Sequence, residues 1–350
     1  MAFQLKVSNS LEQLAAKLCI DLQLTPLDVF QPVYIITQTE GMNNWLKIQM
    51  ADRIGIAANC QYLKPNDLIN KIYYLSGGAF SQTLSVESLN WLLFKLLGEE
   101  AFVKKYPLIS AYYFNGEPDN DVKRMALAEK VSDLFDQYQI YRPEMIQRWN
   151  NDLPGNIEDD EWQKELWVNA KKIIEKKFPD KTLIGKAIKH AWENPDNVER
   201  LQKKMPVIYL FGISLITEYH LQIFQELAKH IDIKFLLLNP APSVYWFEDK
   251  SEKQLAFLKK LGKMDNSETN LGNPLLTSWG RIIQDTFSML FKNDDLINAY
   301  DEIGSIEPLQ DSLLHKIQYA VFQNEIASGE TRFTQNEIQD GSIIINSCCP

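Results

Sequence analysis

The chain has 350 residues and carries 36 Lys and Arg against 46 Asp and Glu, which gives a formal net charge of −10. Its length corresponds to roughly two domains of about 150 residues, and its composition, 45% hydrophobic and 23% charged, is typical of folded globular proteins. The acidic balance argues against a protein that coats phosphate backbones by bulk positive charge, although a local nucleic-acid channel remains compatible with it.

Two strand–turn–helix units open the chain. The first strand covers residues 3–7 and is followed by a polar turn, in which Ser10 is expected to N-cap a helix and Gln13 to complete a capping box. The second strand covers residues 33–37 and is also followed by a turn and a helix. Consecutive units of this kind predict a parallel sheet with right-handed crossovers.

The middle of the chain is predicted to be helical. Amphipathic stretches such as residues 125–140 follow one another from about Lys64 to Met205, and we interpret this region as a helical insertion. Strands are predicted again at residues 207–211 and 233–238. Their nearly continuous apolar sequences are expected where helices cover both faces of a sheet.

The last hundred residues are more mixed. A polar stretch at residues 249–273 predicts a loop-rich excursion, and helical segments are predicted near 279–291 and 309–326. Residues 342–346 are predicted as a final strand. Because the chain stops just after this apolar run, we expect an N-terminal fragment of a longer protein, although a terminal strand can also close a complete domain.

The turns after the strands are the places to search for chemistry in an open parallel sheet. A phosphate-binding loop after the first strand would read G-x-x-x-x-G-K-[ST], but the turn consists of Ser8, Asn9 and Ser10. An acidic residue that holds magnesium would follow the strand at 207–211, but Gly212 stands there. The sequence therefore predicts a degenerate nucleotide site at these four residues, without ATP binding.

Other catalytic patterns are weak. The four histidines lack metal-ligand or nucleophile spacing and are predicted at the surface or at helix ends: His190, His220, His230 and His315. Asp133 and Asp136 share one face of a predicted helix, which is compatible with paired-carboxylate chemistry. A solvated helix face or contacts to base amino groups are favoured over that chemistry. We predict no catalytic residue and no metal site.

The cysteines and the N-terminus indicate the compartment. Four cysteines without C-x-x-C spacing cannot build a disulfide framework over this length, and they favour a reducing cytoplasm: Cys19, Cys60, Cys348 and Cys349. The N-terminus lacks the segments of a signal peptide, and no stretch approaches roughly 18 apolar residues. We therefore expect a cytoplasmic protein without a membrane span.

Ten blocks of the sequence, taken together, form a recognisable pattern: Ile36–Leu46, Gly55–Asn59, Asp133–Tyr138, Tyr141–Pro143, Phe211–Ser214, Lys229–Ile231, Asn239–Pro240, Tyr245–Trp246, Gly272–Leu276 and Ser278–Gly280. These blocks resemble the RecC family, the gamma chains of the exodeoxyribonuclease V (RecBCD) complex. They occur in the family's order and span most of the chain, and the family's chains are longer than this one. Any single block could arise by chance, but together they are specific.

The resemblance implies an α/β fold: a core similar to P-loop NTPases and superfamily 1 helicases, degenerate and without Walker motifs, with a large α-helical insertion. The core would comprise residues 1–63 and 206–350, similar to helicase domain 1A, and the insertion residues 64–205, similar to domain 1B. Such a subunit scaffolds RecB and RecD in double-strand break repair by homologous recombination. It helps to split duplex ends and reads the 3′ single strand for the hotspot sequence Chi.

The resemblance also implies partners and a division of labour. The fragment by itself would be no enzyme and hold no cofactor, because ATP and Mg²⁺ are used by the RecB-like and RecD-like subunits. Its other partners would be single-stranded DNA and duplex-end DNA, without a membrane. The alternatives are an active superfamily 1 helicase or nuclease subunit with unorthodox motifs, which would need a magnesium site, and a Rossmann-like enzyme, which would need G-x-G-x-x-G after the first strand.

The family's Chi-strand surface maps onto this sequence position by position. Amides and carboxylates can address base edges, and Arg142 can bridge a phosphate or a guanine. Glu40 and Asn44 lie in a matching block but differ in side chain from the best-known members. Core packing is the alternative for Leu134, and an ion pair or helix cap is the alternative for the two Asp residues and Arg142. The implied contact residues are Gln38, Glu40, Asn44, Asp133, Leu134, Asp136, Gln137 and Arg142.

Overall fold

A computed structural model describes residues 3–25, 30–56, 58–78, 85–114, 120–154, 160–174, 180–262, 271–326, 333–344 and 346. The strands are β1 (Phe3–Ser8), β2 (Val33–Ile36), β3 (Cys60–Leu63), β4 (Val207–Phe211), β5 (Asp232–Leu238) and β6 (Tyr300–Glu302). The helices of the first half are α1 (Leu11–Leu24), α2 (Glu40–Ile54), α3 (Pro65–Leu75), α4 (Val86–Leu97), α5 (Glu100–Lys105), α6 (Pro107–Ser110), α7 (Asp121–Tyr141), α8 (Pro143–Asn150) and α9 (Glu161–Ile174).

The described residues of the second half contain nine further helices. These are α10 (Lys181–Ala191), α11 (Pro195–Lys204), α12 (Glu218–Ala228), α13 (Glu252–Lys260), α14 (Pro274–Ser278), α15 (Arg281–Leu290), α16 (Asp294–Asn298), α17 (Leu313–Phe322) and α18 (Gln335–Ile338). Within the described residues, no helix combines the length and the apolar character needed to cross a bilayer.

The six strands form one parallel sheet in the order β3-β2-β4-β5-β1-β6. In register, Leu5 of β1 lies opposite Phe235 of β5 on one side and Tyr300 of β6 on the other. All five residues of β4 are buried, as expected for a central strand with covered faces. The predicted α/β class with a parallel sheet is confirmed.

The polypeptide divides into two compact units. The first unit comprises Met1–Pro65, Lys204–Ile216 and Leu227–Pro350, and it contains the sheet. Its core includes apolar side chains of α1 and α2 together with side chains of β2 and β4, such as Leu18, Leu46, Ile35 and Tyr209. Ser10 caps α1 as predicted, because its hydroxyl accepts a hydrogen bond from the Gln13 amide.

The second unit comprises Asn66–Lys203 and Thr217–Glu226 and is helical. Its core contains an aromatic cluster in which Phe135 meets Trp149 and Trp167 edge to face, with ring centroids 6.0 and 5.5 Å apart. Residues 217–226 group with this unit, whereas the sequence interpretation placed them in the core. The reason is local: the Tyr219 hydroxyl donates to the Lys181 carbonyl at 3.0 Å.

One prediction about the last hundred residues is wrong, and a second is wrong in part. Ser342, Ile343 and Ile344 form no strand, because this segment instead caps α17: the Leu314 amide donates to the Ser342 hydroxyl at 3.1 Å, and the preceding Asp340 accepts from the Leu313 amide. The polar stretch after Asp249 contains α13, begun by a capping box between Ser251 and Gln254. The following lie outside the described residues: Ile345 of the predicted final strand, residues 263–270 of the polar stretch, and Cys348 and Cys349.

Candidate nucleic-acid interface

The loop after β1 is bonded to the segment that follows β6. The Ser8 hydroxyl donates to the Gly304 carbonyl at 2.7 Å. The Asn9 amide group donates to the Ile306 carbonyl at 2.6 Å and accepts from the Ile306 amide at 2.8 Å. The polar groups of the predicted degenerate nucleotide site are thus used within the protein.

The first turn of α1 carries its own anionic group. The Ser10 hydroxyl caps the helix and donates to a carboxylate oxygen of Glu12 at 2.8 Å. In a phosphate-binding loop the helix N-terminus would face the phosphate. Here the Glu12 carboxylate interacts favourably with the positive end of the helix dipole and would repel a phosphate.

Gly212, the fourth residue of the predicted site, has a backbone reason to be glycine. Its φ is +61°, in the left-handed region, and its amide donates to the Leu236 carbonyl at 2.9 Å. A Cβ at this position would lie 3.4 Å from the Met42 methyl group. The residue therefore turns the chain sharply at the end of β4.

We predict that Gly212→Ala lowers the free energy of unfolding by about 1–2 kcal/mol, because an L-residue is strained in the left-handed region. Urea-induced unfolding measures the change. Gly41→Ala is the matched control, since Gly41 lies in α2 and has no positive φ. Equal stability of the two variants would contradict the strain assigned to residue 212.

Gln38 connects the end of β2 to the segment after β4. Its amide nitrogen donates to the Leu215 carbonyl at 3.0 Å, and its amide oxygen accepts from the Ser214 hydroxyl at 3.3 Å. These bonds fix the orientation of the amide group. The side chain is half-buried, so the part of it that reaches solvent can meet a ligand without reordering.

Glu40 and Asn44 are exposed on the first turns of α2, four residues apart and therefore on one face of the helix. The buried Asn43, which the sequence interpretation missed, donates to a Glu40 carboxylate oxygen at 3.1 Å and accepts from the Thr37 hydroxyl. The buried Asn43 side chain thus holds the carboxylate of Glu40 in place. The sequence alone does not single out Asn43, because Asn, Asp, Ser and Thr residues are common near the starts of helices.

Five implied contact residues lie on or next to α7 in the second unit. Asp133 and Gln137 are exposed and bonded to each other, with the amide donating to the carboxylate at 2.9 Å. Leu134 is half-buried, so part of its side chain packs in the protein and part is accessible to solvent. Asp136 instead forms an ion pair with Lys181 of α10, at 2.8 Å from Nζ to Oδ1. The two carboxylates therefore have separate partners.

Arg142 follows the last residue of α7 and is exposed. The centre of its guanidinium lies 5.5 Å from the centroid of the Tyr138 ring, within the range of a cation–π interaction. Its backbone amide donates to the Tyr138 carbonyl at 2.9 Å. The ring thus holds the guanidinium near the end of the helix while leaving it accessible to solvent.

Lys181 is a second residue that sequence reasoning missed. Besides the ion pair with Asp136, its backbone amide donates to the side-chain oxygen of Gln139 at 2.9 Å. It lies 45 positions from Asp136, so no helical periodicity connects the two residues. The contact follows from the packing of α10 against α7.

His220 is buried, contrary to the surface position predicted for it, although it does lie in the first turn of α12. Its Nε2 lies 2.9 Å from Asn66 Oδ1 and therefore donates, while Nδ1 accepts from the Thr217 hydroxyl at 2.6 Å. Burial, followed by the positive charge of Lys181, lowers the pKa of His220 to about 4. The imidazole is neutral at physiological pH.

The eight implied contact residues divide between the two units. Gln38, Glu40 and Asn44 lie together at the start of α2 in the first unit, and the other five lie on or beside α7 in the second unit. The described residues contain no cluster of three His, Cys, Asp or Glu side chains suited to a metal ion. These side chains can form hydrogen bonds and ionic contacts to a ligand through their amides, their carboxylates and one guanidinium.

Comparison with known proteins finds a match to a family model described as RecC, N-terminal domain, over residues 3–324. Among curated proteins, the RecBCD enzyme subunit RecC of Escherichia coli (strain K12) is 27% identical over 347 residues, which covers 91% of this chain and 30% of that protein. The subunit of the same name from Haemophilus influenzae is 27% identical, with 83% and 31% covered.

A more distant relative has the same name. The RecBCD enzyme subunit RecC of Mycolicibacterium smegmatis is 24% identical over 329 residues, covering 92% of this chain and 28% of that protein. The chain therefore spans less than a third of the length of these curated relatives.

Proposed function

The chain belongs to the RecC family, and from that membership we propose that it is the helicase-like N-terminal part of a non-catalytic DNA-binding and scaffold subunit in a RecBCD-type complex. In this role it helps to split duplex ends and reads the 3′ single strand for a Chi-type sequence. The complex acts in double-strand break repair by homologous recombination, in the cytoplasm. RecB-like and RecD-like partners supply the ATP- and Mg²⁺-dependent activities.

The observation that carries this proposal is the state of the loop after β1. Where a helicase would bind the phosphates of ATP, Asn9 is bonded in both directions to Ile306 and Ser8 to Gly304. The loop after β4, where magnesium would be held, turns at Gly212. Both loops lie at the carboxyl edge of the sheet with β5 between their strands, the edge at which open sheets bind ligands.

On this view the first unit corresponds to a degenerate superfamily 1 helicase core, and the helical second unit corresponds to the insertion of such a core. The exposed polar side chains of each unit, taken by itself, are suited to contact a single strand. Amides, carboxylates and Arg142 can pair with the edges of splayed bases. The net charge of −10 predicts only weak binding of a single strand by the chain alone, which fits a strand that partner subunits deliver.

Association and catalysis test the scaffold role. We expect the chain, as part of its full-length subunit, to co-purify with RecB-like and RecD-like homologues and to show no ATP hydrolysis when purified without them. ATP turnover by the isolated chain that disappears when Ser8 or Ser10 is replaced would contradict the proposal. Failure to associate with either partner would contradict it independently.

For the strand-reading role, we predict that Arg142→Gln lowers the response of the assembled complex to its hotspot sequence by about tenfold, because one lost base contact costs roughly 1–3 kcal/mol of discrimination. Asp136→Asn is expected to act in the same direction. The measurement is the yield of DNA fragments that end at the hotspot, compared with total unwinding.

Two further variants separate reading from folding. Asp121→Asn lies on the same helix, and its exposed carboxylate pairs with Arg124, so hotspot response should be unchanged. Lys181→Met removes the partner of Asp136 without removing the carboxylate. If Lys181→Met reduces the hotspot response as much as Asp136→Asn does, Asp136 acts through its ion pair with Lys181. If neither Asp136→Asn nor Arg142→Gln changes the response, neither residue reads the strand.

A further inference from the structure

A cleft of about 420 Å³ lies in the first unit, and none of the eight implied contact residues lines it. It is bordered by the first turn of α13, by α14 and by the start of α15. Its volume falls in the range of small-molecule binding sites. The lining that matters for its chemistry consists of Lys253, Ser278, Arg281 and the acid Glu252.

The cleft concentrates positive charge in an acidic protein. Across the part of the chain that the structure describes, neither Lys253 nor Arg281 pairs with a carboxylate, and both residues are exposed. Ser251 and Gln254, which also line the cleft, are bonded to each other in the capping box of α13. The two free cations outnumber the single acid, so the cleft suits an anionic ligand.

Trp279 stands between two lining residues in the chain and is 83% exposed. Its backbone is held firmly: the Trp279 amide donates to the Leu275 carbonyl at 2.8 Å. A Cβ on the next residue, Gly280, would lie 2.5 Å from the Leu276 carbonyl oxygen, so glycine is required for this close turn. A large aromatic side chain is therefore presented to solvent on a rigid corner, where it gains nothing from burial.

We propose that this cleft binds one nucleotide of a single DNA strand, with a phosphate between Lys253 and Arg281 and a base stacked on Trp279. Aromatic stacking together with backbone cations is the general chemistry of single-strand binding. The inference rests on the proposed single-strand role and adds a contact that base readout on α2 and α7 does not supply. An exposed Trp accepts any base, so this contact holds the strand without selecting its sequence.

Fluorescence anisotropy of a labelled thymidine oligomer, bound to the purified chain, tests the site. Trp279→Ala is expected to weaken binding about tenfold, in the range of one lost stacking contact. Arg281→Gln is expected to weaken binding and to reduce the slope of log affinity against log salt by about 0.7, the value for one phosphate of a single strand. An oligomer with abasic sites should lose the dependence on Trp279 and keep the dependence on Arg281.

Matched controls use side chains outside the cleft. Trp91→Ala removes another exposed Trp, 60% accessible on α4, and Lys259→Gln removes a charge on α13 that does not line the cleft. Both should bind the oligomer like the unaltered chain. Because Trp279 and Arg281 are exposed, their variants should retain the thermal midpoint of the parent, which circular dichroism verifies.

The outcomes separate this inference from the proposed function. The proposed nucleotide site is contradicted if oligomer binding is undetectable. It is also contradicted if neither Trp279→Ala nor Arg281→Gln affects oligomer binding. A free mononucleotide that binds as tightly as the oligomer also overturns it, as does loss of partner association in Trp279→Ala with oligomer binding intact. If both variants weaken oligomer binding but the chain fails to assemble with RecB-like and RecD-like subunits, the nucleotide site is supported and the proposed scaffold function is contradicted.

Discussion

Replacing Asp180 by Ala is expected to lower the free energy of unfolding by about 3–5 kcal/mol, because removing one partner of a buried ion pair leaves the other charge uncompensated. The Asp180 side chain is fully buried, and Lys171, whose side chain is 9% exposed, lies 2.9 Å from its Oδ2. Asn150 and Thr182 also donate to the carboxylate, at 3.2 and 2.6 Å. The residue thus connects α8, α9 and α10.

Urea-induced unfolding of the Asp180→Ala chain measures the loss. Glu100→Gln is the control, since Glu100 and its partner Lys104 are 81% and 74% exposed and an exposed pair of this kind contributes little. The double replacement Asp180→Leu with Lys171→Met removes both charges and should recover part of the stability. A loss in Asp180→Ala no larger than in the control would show that Lys171 escapes to solvent.

Acidification should destabilise the second unit through His220. Its pKa is about 4 in the folded protein, lowered by burial and then by Lys181, against about 6.5 for an unperturbed imidazole. Because the folded pKa is the lower one, the unfolded chain binds the proton first as pH falls. The contribution is complete above about pH 6.5 and decreases below it, by about 2 kcal/mol at pH 5 and about 3 kcal/mol below pH 4.

The pH dependence of unfolding in the His220→Gln chain checks this. Comparison with the parent isolates His220 from the other titrating groups, and the parent should lose about 2 kcal/mol more than the variant between pH 7.5 and pH 5. His190→Gln, at a side chain that is 84% exposed, should retain the slope of the parent. If the free energy of unfolding depends on pH equally in the parent and in His220→Gln, protonation of the imidazole does not destabilise the folded chain.

The parts of the fold that sequence reasoning found are those with a strong local pattern. β2 and β4 carry continuous apolar runs, β5 is interrupted by Lys234, and β1 alternates apolar and polar residues. Ser10 is followed by a helical period, so each of these elements is recognisable without its neighbours. β6, with the sequence Tyr-Asp-Glu, has no such run and exists because Leu5, Lys6 and Val7 offer it a free edge. Residues 342–344, the described start of the predicted final strand, show the converse, since an apolar run that pairs with no described strand forms none.

The candidate site follows the same division. The resemblance supplied residue types and positions, but the partners of Asp136 and Glu40, namely Lys181 and Asn43, are set by packing. Burial of His220 likewise depends on residues 217–226 joining the second unit, which no periodicity within the segment indicates. The sequence therefore predicts the polar chemistry of the surface better than it predicts what holds each side chain in place.

The position of β1 in the sheet has a consequence for synthesis on the ribosome. Its only neighbours among the described residues are β5 and β6, which begin at Asp232 and Tyr300. At roughly 5–20 residues per second, β1 therefore waits about 10–45 seconds after its synthesis for its first partner. The larger segment of the second unit, Asn66–Lys203, is complete before then. The apolar side chains of β1, Phe3, Leu5 and Val7, are thus accessible to chaperones and to aggregation while translation proceeds.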